Sequence, residues 1–153
     1  MMKRGQASIK IAAVHPDITG PERLRLGEPR LNSEWVELVN AGSQAVNVSQ
    51  HFVVNGAGQG FTISLPRRKT LLIGPFESLL IFSGFPDNPE DAAACYLANQ
   101  TTRLFLRLKA YFWNPQEDRA FLYPSREIFL ENPHAYLDHY HYVRRSARVF
   151  VSH

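Results

Sequence analysis

Glu34 and Glu37 are the nearest pair of carboxyl groups that could act as a general acid and a general base. Residues 34–40 alternate in character as a β-strand does, and a separation of three along a strand places side chains on opposite faces. We therefore interpret the pair as charges at the rim of a sheet. No serine lies in a nucleophile-elbow pattern, and Cys95 lies in an apolar stretch typical of a buried small side chain. The sequence predicts no catalytic residues and no enzyme activity.

His134, His139 and His141 form the densest group of potential metal ligands. In a strand, His139 and His141 would share one face about 7 Å apart, and the tyrosines beside them would face the core. Asp138, a possible third ligand, would point to the other side. Because no complete ligand set is visible, we expect a solvent-facing histidine and tyrosine strand, with no metal and no cofactor. A metal-dependent hydrolase built on these histidines is the weakest of three functional hypotheses.

Basic residues fall into three groups that could together neutralise the phosphates of a nucleic acid. They are Arg67, Arg68 and Lys69 in a predicted turn, Arg103, Arg107 and Lys109 in a predicted strand region, and Arg144, Arg145 and Arg148 near the C-terminus. A separation of four places Arg103 and Arg107 on one strand face. Aromatic residues interleave with the second group, and exposed rings could stack on bases. These are Phe105, Tyr111, Phe112 and Trp113. The alternative is a solvated basic surface with the aromatic rings in the core.

The composition indicates one domain with a mild positive charge. The chain has 153 residues, 44% of them hydrophobic, and its 17 Lys and Arg against 14 Asp and Glu give a net charge of +3. That charge is small for a dedicated nucleic-acid-binding protein. A single cysteine excludes an internal disulfide and argues against a cysteine-rich zinc site.

The apolar runs are too short to cross a membrane, which predicts that the protein does not associate with one. Residues 8–14 are interrupted by Lys10 and do not form the apolar core of a signal peptide. We therefore expect a cytoplasmic protein. An exported parent whose signal has been removed is the alternative.

Short β-rich segments separated by turns run along most of the chain. The predicted strands are residues 8–14, 34–40, 45–48, 52–55, 61–65, 71–73, 79–82, 102–108, 118–123 and 127–130. The glycine-rich residues 55–60 (NGAGQG) predict a hairpin loop between two of them, since glycine supplies the positive φ that such loops require. No segment in the first 130 residues sustains an amphipathic helical period. This pattern is typical of an antiparallel sandwich or barrel.

Several segments, in their order along the chain, resemble the lamin tail domain, the immunoglobulin-like module that ends nuclear lamins and also occurs in many bacterial proteins. Residues 34–40 (EWVELVN) resemble its opening strand, and residues 46–49 (VNVS) resemble its hydrophobic-Asp-Leu-Ser segment. The other similar segments are residues 61–63 (FTI), 73–77 (IGPFE), 79–82 (LLIF), 113–114 (WN), 118–123 (DRAFLY) and 124–125 (PS). The resemblance covers residues 8–132, and the tail from Pro133 onward has no counterpart.

The chain departs from this family at two turns. The family usually has Gly-Trp where this chain has Gln50-His51, so Phe52 is expected to supply the buried aromatic ring. It usually has glycine where this chain has Phe76, and we expect the turn there to differ. The resemblance implies an immunoglobulin-like sandwich without a catalytic centre, used as a docking surface for proteins and chromatin.

We therefore expect an all-β protein with an immunoglobulin-like antiparallel β-sandwich over residues 1–132. Residues 133–153 form a C-terminal extension that adds a strand or pairs with another chain, which would make the protein a homodimer. The leading functional hypothesis is a non-catalytic protein-interaction or scaffolding module. The alternative is a module that binds DNA or another nucleic acid through the three basic groups.

Overall fold

A computed structural model of the protein describes residues 8–17, 33–65, 70–85, 95–98, 101–145 and 148–152, with the side chains of residues 95–98, 145 and 148–150 outside the description. The strands are β1 (Ile9–His15), β2 (Trp35–Asn40), β3 (Val46–Asn47), β4 (Phe52–Asn55), β5 (Gly60–Thr62), β6 (Leu72–Ile73), β7 (Ser78–Phe82), β8 (Cys95–Ala98), β9 (Thr101–Phe105), β10 (Glu117–Tyr123), β11 (Asp138–Arg145) and β12 (Arg148–Ser152). A helix, α1 (Arg126–Glu131), follows β10. The predicted burial of Cys95 lies outside the described side chains.

The strands form two five-stranded sheets, and the predicted all-β sandwich is confirmed. The first sheet has the order β1-β2-β7-β9-β8 and the second has the order β12-β11-β10-β4-β5, while β3 and β6 form a small two-stranded sheet. Neighbouring strands are antiparallel with one exception, since β7 and β9 run parallel. The exception arises because the edge strand β8 lies between them in the chain and pairs with β9 alone.

Alternating side chains bury one face of each sheet against the other. Val36 and Leu38 of β2 are buried while their neighbours are half-buried, as the period-two pattern predicts. Tyr140 and Tyr142 enter the core from β11, as expected. The sheets are also joined by a hydrogen bond, in which the Ile11 amide donates to the Asp138 carboxylate at 2.8 Å. This bond lies where the pairing of β1 with β2 shifts register, so Asp138 helps to satisfy the backbone at a bulge.

The helix α1 replaces the strand predicted over residues 127–130. The Ser125 hydroxyl caps it by accepting from the Ile128 amide at 3.2 Å, and Glu127 lies in its first turn. Both features are typical of the start of a helix, and the strand prediction did not take them into account. The Phe129 side chain of α1 packs with Phe52 and Tyr123 on the outer face of the second sheet. Phe52 is buried as predicted, but in this second cluster rather than between the sheets.

The C-terminal extension supplies two strands of the second sheet. β11 pairs with β10, and β12 pairs with β11 at the sheet edge. The predicted hairpin through residues 55–60 is confirmed by the antiparallel pairing of β4 with β5. Within the described residues, no helix is both long and apolar enough to cross a membrane.

Candidate functional site

Glu34 is buried, and the prediction that it is a rim charge is wrong. Its side chain is fully shielded from solvent and accepts backbone hydrogen bonds from Phe112 at 2.6 Å and Trp113 at 3.2 Å. The prediction failed because the bonded amides come from a loop nearly eighty residues away in the chain. Glu37 is half-buried on the other face of β2, so the two carboxyl groups do not converge, as expected.

Buried polar groups hold both ends of the same loop, residues 111–114, which we call the anchored loop. Asp118 accepts from the Asn114 amide at 2.9 Å and from the Gly56 amide at 2.7 Å, using different oxygens. The Asn55 side-chain amide donates to the Phe112 carbonyl at 2.7 Å. Because Asp118, Asn55 and Phe112 are buried, these bonds satisfy polar groups that would otherwise be costly to remove from water.

Tyr142 completes this network and is held in its neutral form. Its hydroxyl donates to the Asn114 carbonyl at 2.5 Å. Burial, reinforced by the negative charges of Asp118 and Glu34, raises the pKa of Tyr142 well above its ordinary value. The phenol therefore remains a donor at every physiological pH. Phe112 and Trp113 of the anchored loop are buried, so they are core rings and are not exposed for base stacking.

Two exposed apolar side chains lie in β6 and in the turn that follows it, and we call them the apolar tip. Phe76 is 75% exposed in the turn between β6 and β7, and Leu72 of β6 is 61% exposed. The turn is fixed by its own hydrogen bonds. Asn40 accepts from the Phe76 amide at 2.7 Å, Gly74 donates to the Glu77 carboxylate at 2.6 Å, and Asn40 donates its side-chain amide to the Ile73 carbonyl at 2.9 Å.

Phe76 also has a backbone conformation that is costly for its residue type. Its φ is 62°, in the left-handed region that glycine adopts most readily. Gln50, in the turn before β4, has a φ of 72°. Gln50 and Phe76 are therefore both left-handed without being glycine.

Four aromatic rings cross the outer face of the first sheet in register, and we call them the outer aromatic row. His15 of β1 pairs with Trp35 of β2, Trp35 pairs with Phe82 of β7, and Phe82 pairs with Phe105 of β9. His15 is exposed and the other three are half-buried. Of these four rings, the sequence singles out only Phe105. The complete row forms only because β7 and β9 pair in parallel.

The basic groups are spread over different parts of the fold. Arg103 is exposed on the outer face of the first sheet, whereas Arg144 is half-buried in β11 of the second sheet. The prediction that Arg103 and Arg107 share a strand face is wrong, since β9 ends at Phe105 and Arg107 has a φ of 59°.

The rest of the predicted basic surface is described only in part. Lys109 and Arg107 are both exposed beyond the end of β9. Arg67, Arg68 and Lys69, together with the side chains of Arg145 and Arg148, lie outside the described residues.

The histidines of β11 have separate partners. The His141 ring nitrogen lies 2.7 Å from the Glu117 carboxylate, and the His139 ring stacks on Phe121 with centroids 5.9 Å apart. His134 is exposed, outside the strand. Among the described residues, no three histidine, cysteine or acidic side chains are grouped closely enough to hold a metal ion.

No protein-family model matches the chain, and no curated protein matches it at a significant level.

Proposed function

We propose that this protein is a non-catalytic protein-interaction or scaffolding module of the lamin tail type, and that the apolar tip is its docking surface. The observation that carries the proposal is Phe76. A phenylalanine in a left-handed conformation costs about 1–2 kcal/mol relative to a relaxed backbone, and a side chain that is 75% exposed regains little of this by burial. The benefit of Phe76 must come from outside the folded chain, and a binding partner provides it.

The surroundings of Phe76 are suited to docking. Aromatic residues dominate the binding energy of many protein interfaces, and an anchor that is already fixed loses less entropy on association. The hydrogen bonds from Asn40 hold the backbone of this turn before any partner arrives. Leu72, four residues earlier in β6, is a second exposed apolar side chain. These features favour a partner with an apolar pocket or groove.

The lamin tail resemblance is supported by the turns at Gln50 and Phe76. Glycine adopts a positive φ more readily than other residues do. Gln50 and Phe76 stand where the family usually has glycine, and both have a positive φ, which is the backbone conformation that glycine favours. The absence of catalytic activity is also part of the proposal. Both oxygens of Glu34 and both oxygens of Asp118 accept backbone hydrogen bonds, which fits a role in holding the anchored loop.

The proposal is tested by selecting peptides that bind the apolar tip. A displayed peptide library would be enriched for peptides that bind the wild-type protein. Peptides that also bind the Phe76→Gly variant would then be removed. Glycine relieves the left-handed backbone, so the variant should unfold with a free energy unchanged or higher by about 1 kcal/mol. We expect enriched peptides to bind the wild type at least about tenfold more tightly than the variant, as hot-spot aromatic residues usually require.

The matched control is Leu130→Ala, which removes another exposed apolar side chain from α1. Peptides that dock on the tip should bind this control as they bind the wild type. Failure of the library to enrich, or equal binding to Phe76→Gly, would contradict the proposal.

Nucleic-acid binding is the second candidate. The observation that favours it is the exposed Arg103, Arg107 and Lys109 at and beyond the end of β9, in a stretch (residues 101–116) that contains no Asp or Glu. We also propose that the protein is cytoplasmic. A second copy of the chain is proposed as a further partner, which would pair through the edge strand β12.

A further inference from the structure

Asn55 and Gly56, at the end of β4, form the only Asn-Gly pair in the chain. Asparagine followed by glycine is the pair most prone to deamidation, because glycine has no side chain to hinder attack by its amide nitrogen on the preceding side chain. Of the other seven asparagines, three precede proline, which has no amide hydrogen to lose. Asn55 is therefore the asparagine at which this chain is chemically most able to modify itself.

This modification needs only water besides the chain. The Gly56 amide nitrogen loses its proton and attacks Cγ of Asn55, so that a C–N bond forms. The bond from Cγ to Nδ2 then breaks, and ammonia leaves after taking up a proton. Water opens the resulting five-membered succinimide ring at either carbonyl, which gives aspartate or isoaspartate at position 55. A neutral amide is thereby replaced by a negative charge.

In the folded protein both reacting groups are held by hydrogen bonds. The Gly56 amide donates to the Asp118 carboxylate at 2.7 Å. The Asn55 side chain is 3% exposed, and its nitrogen donates to the Phe112 carbonyl at 2.7 Å and to the Gln59 side chain at 3.2 Å. Its oxygen accepts from two backbone amides of the hairpin loop, at 3.1 and 3.0 Å. Attack would make Cγ tetrahedral and expel Nδ2, so it cannot be completed while these bonds hold the planar amide.

The fold nevertheless requires both members of this labile pair. A Cβ added at Gly56 would lie 2.7 Å from the Asp118 carboxylate, so glycine lets that carboxylate reach the amide. The side chain at position 55 donates through one atom and accepts through the other, which an ionised carboxyl group cannot do. Deamidation would place an acceptor against the Phe112 carbonyl and add a second negative charge near Asp118.

We propose that Asn55–Gly56 is a self-modification site that the anchored loop and Asp118 keep closed, and that opening of this loop allows the site to deamidate. The acid formed at position 55 weakens the closed loop, because the bond to the Phe112 carbonyl has lost its donor. A reversible opening is thereby converted into a lasting one. The inference rests neither on the apolar tip nor on nucleic-acid binding.

Peptide mapping by mass spectrometry measures deamidation at residue 55 in the full chain. In mildly alkaline buffer, we expect the native protein to react at least about a hundredfold more slowly than the chain unfolded in guanidinium chloride, since only open molecules react. Hydrogen exchange of the Gly56 amide gives the open fraction, and the native rate should equal the unfolded rate multiplied by that fraction. A native rate as high as that of the unfolded chain would overturn the proposal.

Asp118→Ala tests the closing contact. This variant loses the bonds to the Gly56 and Asn114 amides, so we expect native deamidation to become about tenfold faster or more. Glu117→Ala is the matched control, because Glu117 is exposed and bonds His141 instead, and it should react as the wild type does. An unchanged rate in a folded Asp118→Ala variant would contradict the closing role of Asp118. Should that variant fail to fold, as judged by circular dichroism, the exchange measurement on the wild type decides alone.

Asn55→Asp tests the consequence of the modification. We expect it to lower the urea midpoint of unfolding by about 1 M, because a buried donor is lost and an acceptor is left unsatisfied. Asn47→Asp is the matched control, since the exposed Asn47 side chain accepts from the Ser49 and Leu71 amides through its oxygen, which aspartate retains. Its midpoint should move by less than about 0.3 M. Equal midpoints for Asn55→Asp and the wild type would overturn the proposed weakening of the loop.

Discussion

At the scale of single residues, buried carboxyl and amide groups of this protein form hydrogen bonds with the backbone of a loop and hold it in place. Glu34, Asp118 and Asn55 reach one short loop and satisfy its amides and carbonyls, and the Tyr142 hydroxyl bonds the last carbonyl of that loop. Such groups resemble a catalytic cluster in a sequence because the residue types are the same. Their bonding partners distinguish them, since a catalytic group needs an atom available for substrate.

Replacing Glu34 by glutamine tests this role. The substitution preserves shape but places an amide nitrogen, which is a donor, against one of two backbone donors at Phe112 and Trp113. We expect the free energy of unfolding in urea to fall by about 3 kcal/mol, because a buried bond to a charged group is lost and a donor is left unsatisfied.

Glu37→Gln is the matched control for this substitution. Glu37 lies on the half-buried outer face of the same strand, so its replacement should change stability by less than about 0.5 kcal/mol. Equal stability of Glu34→Gln and the wild type would show that the carboxyl group does not support the loop.

At the scale of elements, the β4–β5 hairpin depends on one close approach. A Cβ added at Gly60 would lie 2.3 Å from the Phe52 ring, which packs across the hairpin in the cluster with Tyr123. The sequence predicts that the glycine-rich loop supplies turn conformations, and Gly58 has such a conformation with a φ of 85°. Gly60 serves a second purpose, because it leaves space for a ring on the neighbouring strand.

Gly60→Ala should therefore destabilise the hairpin by steric conflict. We expect a loss of about 1–3 kcal/mol in the free energy of unfolding, typical of an overpacked site. A double-mutant cycle with Phe52→Leu measures the cause, since a smaller side chain relieves the conflict and should reduce the cost of the glycine substitution. Equal costs in both backgrounds would assign the effect to the backbone instead.

At the scale of the whole molecule, the C-terminal extension closes one side of the second sheet. β11 contributes Tyr140 and Tyr142 to the core, and β12 forms the edge beyond it. Val151 pairs with Tyr142 in register, on the side of the core, yet it is 48% exposed. An edge strand with exposed apolar surface favours pairing with another chain.

We expect β12 to mediate a homodimer, and Val151→Lys tests this. A charged side chain at the core side of an edge strand is a common means of preventing edge-to-edge pairing. Light scattering should give the mass of two chains for the wild type and of one chain for the variant. Leu130→Lys on α1 is the control and should remain a dimer, whereas a monomeric wild type would rule out this association.

The fold class and most of the strands of this protein can be predicted from its sequence, because alternating side chains and turn residues are local signals. The sequence also predicts that Tyr140 and Tyr142 face inward and that residues 55–60 turn a hairpin. These features depend on neighbours within a few positions.

Contacts between residues that are distant in the sequence become visible only in the folded structure. The burial of Glu34 depends on a loop of residues 111–114, and the outer aromatic row depends on the parallel pairing of β7 with β9. The turn that carries Phe76 at a positive φ is held by Asn40, whose carbonyl accepts from the Phe76 amide. None of these contacts is local in the sequence, and hydrophobic periodicity reports only which face of a strand is buried, not which strand lies beside it.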